Sequence, residues 1–423
     1  MNIGLSLSGG GFRATVFHLG VLARLAEEGR LEEVASLSTV SGGSLCAGLV
    51  YARNGFRWPT SVEFAAKVVP EARKLLTSQD LQFGLMGRVL RMPSRIFDTR
   101  ADDLSLLLQE HWGVTASLSA LPERPRWIIN ATCYETGQNW RFERSRMGDD
   151  VFGHTNDTDI PLSDALAASA GFPGLIGPLE FDTRHRCWSQ HVHGDGRQNG
   201  SEAADSHRWQ TEPGKPAYSK LHLWDGGVCD NLGVESLHRL GRGWRKGYGF
   251  LIVSDGCSAL RPERYRYWKA ADRMIRGIMM DQIRTLRFRA VLDRFKNDQD
   301  EGSILQIGTT CEGILREVGR EDEISELRSQ CLSHKEAEAA AETPTDIRRL
   351  SPEHFERLFR HGFEVADYTL YAYHPDEFPF IGYRNSRYSC GAVPAKRRGR
   401  ALSLKPLSAG ASRPLQWLRS PGA

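Results

Sequence analysis

The sequence predicts an α/β fold with a central, largely parallel sheet and helices packed against it, and three observations carry that prediction. The first fifty residues repeat strand, glycine turn and helix twice, the pattern of parallel strands joined by crossover helices. Two later apolar runs, Leu221 to Trp224 and Phe250 to Ser254, each lead straight into an Asp-Gly turn. The 423 residues, 40% hydrophobic and 25% charged, are enough for a sizeable core in one large domain with insertions.

Taken in order, Ile3-Gly4-Leu5-Ser6-Leu7 reads as a short buried strand and Ser8-Gly9-Gly10-Gly11 as its exit turn. Val16, Leu19, Leu22, Ala23 and Ala26 share one helical face, and Gly29 caps that helix. Val34 to Val40 predicts the second strand, Gly42-Gly43 its turn, and Leu45 to Tyr51 a small-residue helix. Residues 60–113 predict helices with a break near Gly84 to Gly87, where Leu81, Phe83, Leu85, Met86, Leu90, Ile96 and Phe97 are candidates to line a groove. Trp127 to Tyr134 and Trp140 to Glu143 predict a hairpin about Glu135-Thr136-Gly137. A small-residue helix follows at Leu162 to Ala170, and then a polar surface insertion at 183–215. Met274 to Phe295 and Ser351 to Leu370 predict helices, the second with Ser351 as N-cap and Pro352 at its first position. The expected organisation is a domain over 1–390, mainly helical from 270, followed by a disordered tail over 391–423.

Composition narrows the function classes. A net charge of +3 does not point to a dedicated nucleic-acid binder. The tail is basic, with Lys396, Arg397, Arg398, Arg400, Lys405, Arg413 and Arg419 and no acid. Eight scattered cysteines lack zinc or disulfide spacing and read as reduced thiols of a cytoplasmic protein. No run approaches a membrane span, and a strand directly after Met1 leaves no room for an export signal.

Three motifs carry chemistry. Ser41 ends a strand and precedes Gly42-Gly43, the sharp turn that exposes a nucleophilic hydroxyl at a helix start. Only the second half of the usual Gly-x-Ser-x-Gly elbow is met, because Thr39 stands where glycine is expected. Gly9, Gly10, Gly11 and Arg13 offer backbone donors at a helix N-terminus, suited to an oxyanion. A phosphate loop is the weaker reading, since Phe12-Arg13-Ala14-Thr15 replaces the required lysine and hydroxyl. Asp225, followed by Gly226 and Gly227, is a carboxylate at a strand end able to serve as a base; Asp255 is its rival, and Asp230 reads as a helix cap.

In this order the three motifs resemble the patatin-like phospholipase family. Ile128-Ile129-Asn130-Ala131-Thr132, Ala167-Ala168-Ser169-Ala170-Gly171-Phe172-Pro173-Gly174 and Asp225 through Gly233 agree, so the likeness spans Asn2 to Asp255 with a similar helix at Ser351 to Asp367. The resemblance implies a three-layer α/β/α fold and hydrolysis of lipid acyl esters by a serine–aspartate dyad without histidine, through an acyl-enzyme. It places the nucleophile at Ser41, its partner at Asp225 and the oxyanion hole at the glycine loop. No metal or organic cofactor is implied, and the expected partners are a phospholipid or lysophospholipid and a transiently contacted membrane surface. Thr39 and the insertion before Asp225 are departures from the family pattern.

Competing readings remain open at this level. A histidine triad would draw on His361 or His374, though neither follows a strand. His191 and His193, with His185 and His207, read as a solvated cluster rather than a metal site. The helix from Met274, with Ile275, Ile278, Ile283, Leu286 and Val291 apolar and Arg276, Arg284, Arg287, Arg289 and Arg294 basic, either packs on the sheet, the favoured reading, or lies on an anionic membrane. The functional alternative to an enzyme is a ligand- or partner-regulated lipid-binding scaffold.

Overall fold

The computed structural model describes residues 1–91, 100–174, 176–189, 216–239, 243–244, 247–298 and 301–389. The basic tail, residues 190–215 of the insertion, and Ile96 and Phe97 of the expected groove lie outside the described residues, as does the side chain of Leu90. We number the elements that position the site: β1 (Ile3–Leu7), α1 (Gly11–Glu27), β2 (Val34–Val40), α2 (Gly42–Arg53), α3 (Leu81–Arg91), β3 (Arg126–Cys133), β4 (Asn139–Glu143), β5 (Arg146–Asp149), β6 (Gly153–Thr155), α4 (Leu162–Ser169), β7 (Leu179–Asp182), β8 (Lys220–Asp225), β9 (Phe250–Asp255), α5 (Tyr267–Asp272), α6 (Met280–Asn297), β10 (Gly302–Gln306) and α7 (Pro352–Tyr373).

These strands form one ten-stranded sheet in the order β10-β9-β1-β2-β3-β4-β5-β6, with β8 on β3 and β7 on β8. The five strands from β10 to β3 run parallel, as expected, and the sheet continues beyond them antiparallel. Alternation along β9 shows the layering: Phe250 and Ile252 join the core under α1, α2 and α7, while Leu251 and Val253 join a second cluster with Val291 and Phe295 of α6. Each face is thus closed by helices.

Local signals account for the ends of the elements. Gly29, at φ 73°, ends α1 while Arg30 N–H returns to Leu25 O, a left-handed C-terminal cap. Ser351 accepts from His354 N–H at 3.2 Å ahead of Pro352, as expected for α7.

Three expectations are corrected. No break occurs at Gly84–Gly87, because α3 runs through both glycines; Leu81 and Leu85 pack inward, whereas Phe83 and Met86 face solvent and line no groove. The insertion begins later than Thr183, since Trp188 is buried against Trp140 and Phe152 and Ser189 bridges to His154. The helix from Met274 packs only through its C-terminal half, where Val291 and Phe295 are buried, while Met274, Ile275 and Leu286 remain exposed.

The main helix pair is α1 on α7, whose backbones meet at glycines. A Cβ at Gly20 would lie 2.0 Å from Phe359 O, and one at Gly362 would lie 2.0 Å from Phe17 O. Beside this contact the fully buried Arg24 donates to Asp367 Oδ1 at 2.5 Å and to Pro379 O at 2.7 Å.

Candidate active site

Strand pairing brings the two halves of the site together. One edge of β3 is taken by β4, which pairs with Ile129 to Thr132. On the other edge, β2 pairs up to Asn130, opposite Val40, and β8 takes over from Ala131, opposite Asp225. The C-terminal ends of β2 and β8 therefore meet head to head on a single strand, and Ser41, the residue after β2, faces Asp225, the last residue of β8. Asn130 clasps this junction: its Nδ2 donates to Thr39 O at 3.0 Å and Ser38 Oγ at 2.9 Å, and its Oδ1 accepts from Ser236. Thr132 Oγ1 donates to Asp225 O at 2.9 Å.

Ser41 holds φ 49° and ψ −116°, a backbone conformation that L side chains rarely adopt. Such strain persists only where its surroundings fix it, and here they do. A Cβ at Gly42 would stand 2.4 Å from Gly11 O, and one at Gly43 would stand 2.3 Å from Leu7 O, so the turn needs both glycines. Ser41 N–H donates to Ser169 Oγ at 3.0 Å. Ser169 is joined to Ser44 Oγ at 2.8 Å, Ser44 to Thr39 Oγ1 at 2.8 Å, and Trp127 Nε1 donates to Thr39 at 2.9 Å. Thr39, the departure from the elbow pattern, is thus a fully buried link in the network that holds the turn.

Asp225 is buried to 1% exposure. Its Oδ1 accepts from Gly227 N–H at 2.7 Å, whereas Oδ2 has no hydrogen-bond partner among the described residues. Burial pushes the carboxyl up to about 6, and the nearby Ser41 hydroxyl and the Gly227 amide restrain that rise. Gly226 and Gly227 are required by space: a Cβ would meet Asn130 O at 2.4 Å in the first case and Asn231 Oδ1 at 2.6 Å in the second.

The glycine loop divides its roles. Gly9 N–H donates to Asn231 O at 3.0 Å and Phe12 N–H to Asp346 O at 2.8 Å, so the expectation that Gly9 serves an oxyanion is corrected: its amide is engaged. Gly10 and Gly11, at φ 135° and 59°, carry amides with no backbone acceptor among the described residues. Arg13 anchors the loop through Nε to Gly256 O at 3.1 Å and Nη1 to Thr343 O at 2.9 Å. Beneath the loop, His18 bridges Ser254 Oγ at 2.7 Å and Ser8 O at 2.9 Å, and burial pushes it down to about 4, which keeps the ring neutral.

The rival groups are occupied. Asp255 receives Arg284 Nη1 at 2.6 Å and Cys257 N–H at 3.0 Å. Asp230 caps its turn by accepting from Leu232 and Glu235 N–H groups. His361 Nε2 accepts from Gly308 N–H at 2.9 Å and His374 Nε2 pairs with Ser303 at 2.8 Å, both within the α7 packing, so neither supplies a triad. Cys257 is no competing nucleophile, because burial lifts its thiol to about 11. No group of metal-binding side chains occurs among the described residues, of which His185 is one; His191, His193 and His207 lie outside them.

Ser41 and Asp225 open into a cavity of about 510 Å³. Its apolar wall includes Leu45, Phe172, Ile176, Leu260, Met280 and Ile347, and Gly10, Gly11 and Arg13 lie at the reactive end. Sequence reasoning included Ser169 in a family-like segment but missed its role as the acceptor of Ser41 N–H, which depends on a contact 128 positions away. It also missed the contact of Asn231 with the glycine loop and the walls supplied by 257–284 and 342–347, because these come together only through long-range packing. Replacing Ser169 by Ala is expected to lower kcat about tenfold with KM little changed, measured by steady-state hydrolysis, because the elbow loses the acceptor of Ser41 N–H.

Comparisons with known proteins bear on the family and the fold. A family model described as patatin-like phospholipase matches residues 5–238, more than half of the chain. Among solved structures, human GIVD cytosolic phospholipase A2 aligns with a TM-score of 0.50 and 15% identity, over 87% of this chain and 58% of that one. The same human protein in complex with methyl gamma-linolenyl fluorophosphonate gives 0.47 and 14%, over 87% and 57%. VipD from Legionella pneumophila gives 0.32 and 12%, over 87% and 66%. At these identities the first likeness shows the fold alone. The chain spans less than two thirds of the length of the human structure it matches. No curated protein matches the chain in sequence.

Proposed function

The chain belongs to the patatin-like phospholipase family, and from that premise we propose that it is a serine acyl hydrolase of phospholipase A or lysophospholipase type. The observation that carries this reading is the junction on β3, where a strained, exposed-hydroxyl turn meets a desolvated carboxylate with a free oxygen.

In this reading Asp225 Oδ2 accepts the Ser41 hydroxyl proton as Oγ attacks the ester carbonyl carbon. The Gly10 and Gly11 amides, with Gly42 N–H at the start of α2, hold the negative oxygen at helix N-termini. Collapse breaks the ester bond, and the proton on Asp225 passes to the leaving alcohol. Water then gives a proton to Asp225 as its oxygen attacks the acyl carbon; collapse breaks the C–Oγ bond, Asp225 returns the proton to Ser41 Oγ, and the fatty acid is released. The apolar cavity wall suits an acyl chain. The chemistry draws only on these side chains and backbone amides.

A carboxylate base must be ionised to act, so kcat/KM is expected to rise with pH through about 6 and then level off, read from a pH–rate profile on a soluble ester. The direct test of the nucleophile is labelling of the folded chain with a fluorophosphonate, mapped by peptide mass spectrometry. Modification at Ser41, abolished in Ser41→Ala, is the expected outcome. A folded protein that is not labelled while still retaining lipid on vesicles would turn the reading to the lipid-binding scaffold.

A further inference from the structure

The stretch between Leu260 and Met280 forms one wall of the Ser41 cavity and also carries an unusual outer face. Leu260, Arg261, Arg276, Gly277 and Met280 line the cavity. Facing outward, Tyr265, Tyr267 and Trp268 are 81%, 83% and 79% exposed, and Met274, Ile275 and Met279 are also exposed. No residue of α5 or of the π-type turn over 273–279 is buried, so packing within the chain gives no reason for these aromatic and aliphatic side chains.

Charge identifies what they face. Between 260 and 280 stand six cations and two acids, Glu263 and Asp272. Arg261, Arg273 and Arg276 are paired with Glu342, Glu263 and Asp272. Arg264, Arg266 and Lys269 are exposed and have no ion-pair partner among the described residues. Tyrosine and tryptophan rings, apolar in body and polar at the tip, settle at the headgroup level of bilayers, and unpaired cations beside them are drawn to anionic lipid. A neutral protein surface would leave these cations without a counter-charge, as would a second copy of the same basic segment.

We propose that residues 264–279 dock on an anionic phospholipid bilayer and hold the mouth of the Ser41 cavity against it. The inference rests on the reading of that cavity as a lipid-ester site, and it adds the surface from which substrate enters. Because one segment forms both the outer face and the cavity wall, a lipid leaving the bilayer reaches Ser41 without crossing open water.

The test is flotation of the full chain with vesicles of phosphatidylglycerol and phosphatidylcholine, and with phosphatidylcholine alone, at low and high salt. The expected result is binding to the anionic vesicles that weakens with salt. In Arg264→Glu/Arg266→Glu/Lys269→Glu the partition should fall at least about 100-fold, and in Tyr265→Ser/Tyr267→Ser/Trp268→Ser it should be lost. Both variants, altered only at exposed positions outside the cavity, should keep wild-type turnover of 4-nitrophenyl butyrate and lose turnover of vesicle lipid. Unchanged flotation of either variant, equal binding of wild type to both vesicle types, or a wild-type dimer in sedimentation that the serine variant dissolves would each overturn the proposal. The Ser41→Ala chain separates the two readings. If it still hydrolyses the soluble ester, the assignment of the nucleophile fails whatever the vesicles show; if it floats as wild type does while hydrolysis is gone, docking stands independently.

Discussion

Asparagine in place of Asp225 is expected to lower turnover by about 10⁴-fold and, at the same time, to make the folded protein more stable at neutral pH. In the proposed reading the first effect follows from removing the acceptor for the Ser41 proton; Asn retains an oxygen for the Gly227 amide but cannot take a proton. Loss of Ser41 itself, as alanine, is expected to cost about 10⁶-fold. The second effect follows from linkage. In the unfolded chain Asp225 titrates near the ordinary carboxylate value, and burial raises it to about 6 in the fold. Between about pH 4 and pH 6 the native state therefore binds the proton more tightly than the unfolded state, so the stability of the wild type falls as pH rises through that window. A shift of that size corresponds to roughly 3 kcal/mol at most. Asn carries no charge and escapes the loss. Urea denaturation of the two proteins should give similar stabilities near pH 4 and a gap of about 2–3 kcal/mol in favour of Asn above pH 7. Equal stabilities at both pH values would mean that the carboxylate is not desolvated, and the base assignment would lose its physical ground.

The second large effect is expected far from the chemistry. Gly362→Ala should destabilise the protein by about 3–5 kcal/mol and lower Tm by roughly 10 °C. The added carbon would lie 2.0 Å from Phe17 O and 2.9 Å from Phe17 C, which are backbone atoms with no rotamer to relieve the clash. The helices α1 and α7 must move apart, which loosens Phe17, Phe359 and Phe363 and stretches the buried Arg24–Asp367 bond. Gly20→Ala should behave alike, with its clash at Phe359 O. Gly87→Ala is the control. It sits in α3 with nothing within 4 Å of the added carbon, and replacing a helical glycine there is expected to be neutral or to stabilise by up to about 1 kcal/mol. Differential scanning calorimetry of the three variants separates the cases. Since α1 begins at the glycine loop, Gly362→Ala should also reduce turnover, by displacing Gly10 and Gly11 from the reacting oxygen.

Much of the site was legible from short-range pattern alone. The strands β1 and β2, the glycine loop, the elbow at Ser41 and the cap of α7 depend on residues within a few positions of one another, where period, small size and capping chemistry are written directly. The same local reasoning failed where neighbours from elsewhere intervened. It placed a break at Gly84–Gly87, where tertiary packing of Leu81 and Leu85 carries the helix through. It counted the Gly9 amide as free, because the bond to Asn231 O comes from a residue 222 positions away.

Sequence by itself determined the α/β class, the parallel start of the sheet, and the residue types able to perform acyl transfer at Ser41 and an Asp-Gly turn. Local pattern alone does not separate Asp225 from Asp255, since each is an aspartate at a strand end followed by glycine, and only the resemblance favoured Asp225. Tertiary structure supplies the physical reason for that preference. Both β2 and β8 pair with one edge of β3, so their ends abut and Asp225 meets Ser41, whereas Asp255 ends a different strand and is neutralised by Arg284. Strand pairing is a long-range choice, fixed by register and by burial of a common face. A carboxylate's chemistry depends on which charges and amides that choice brings within a few ångströms, and this is why local pattern could not tell the two aspartates apart.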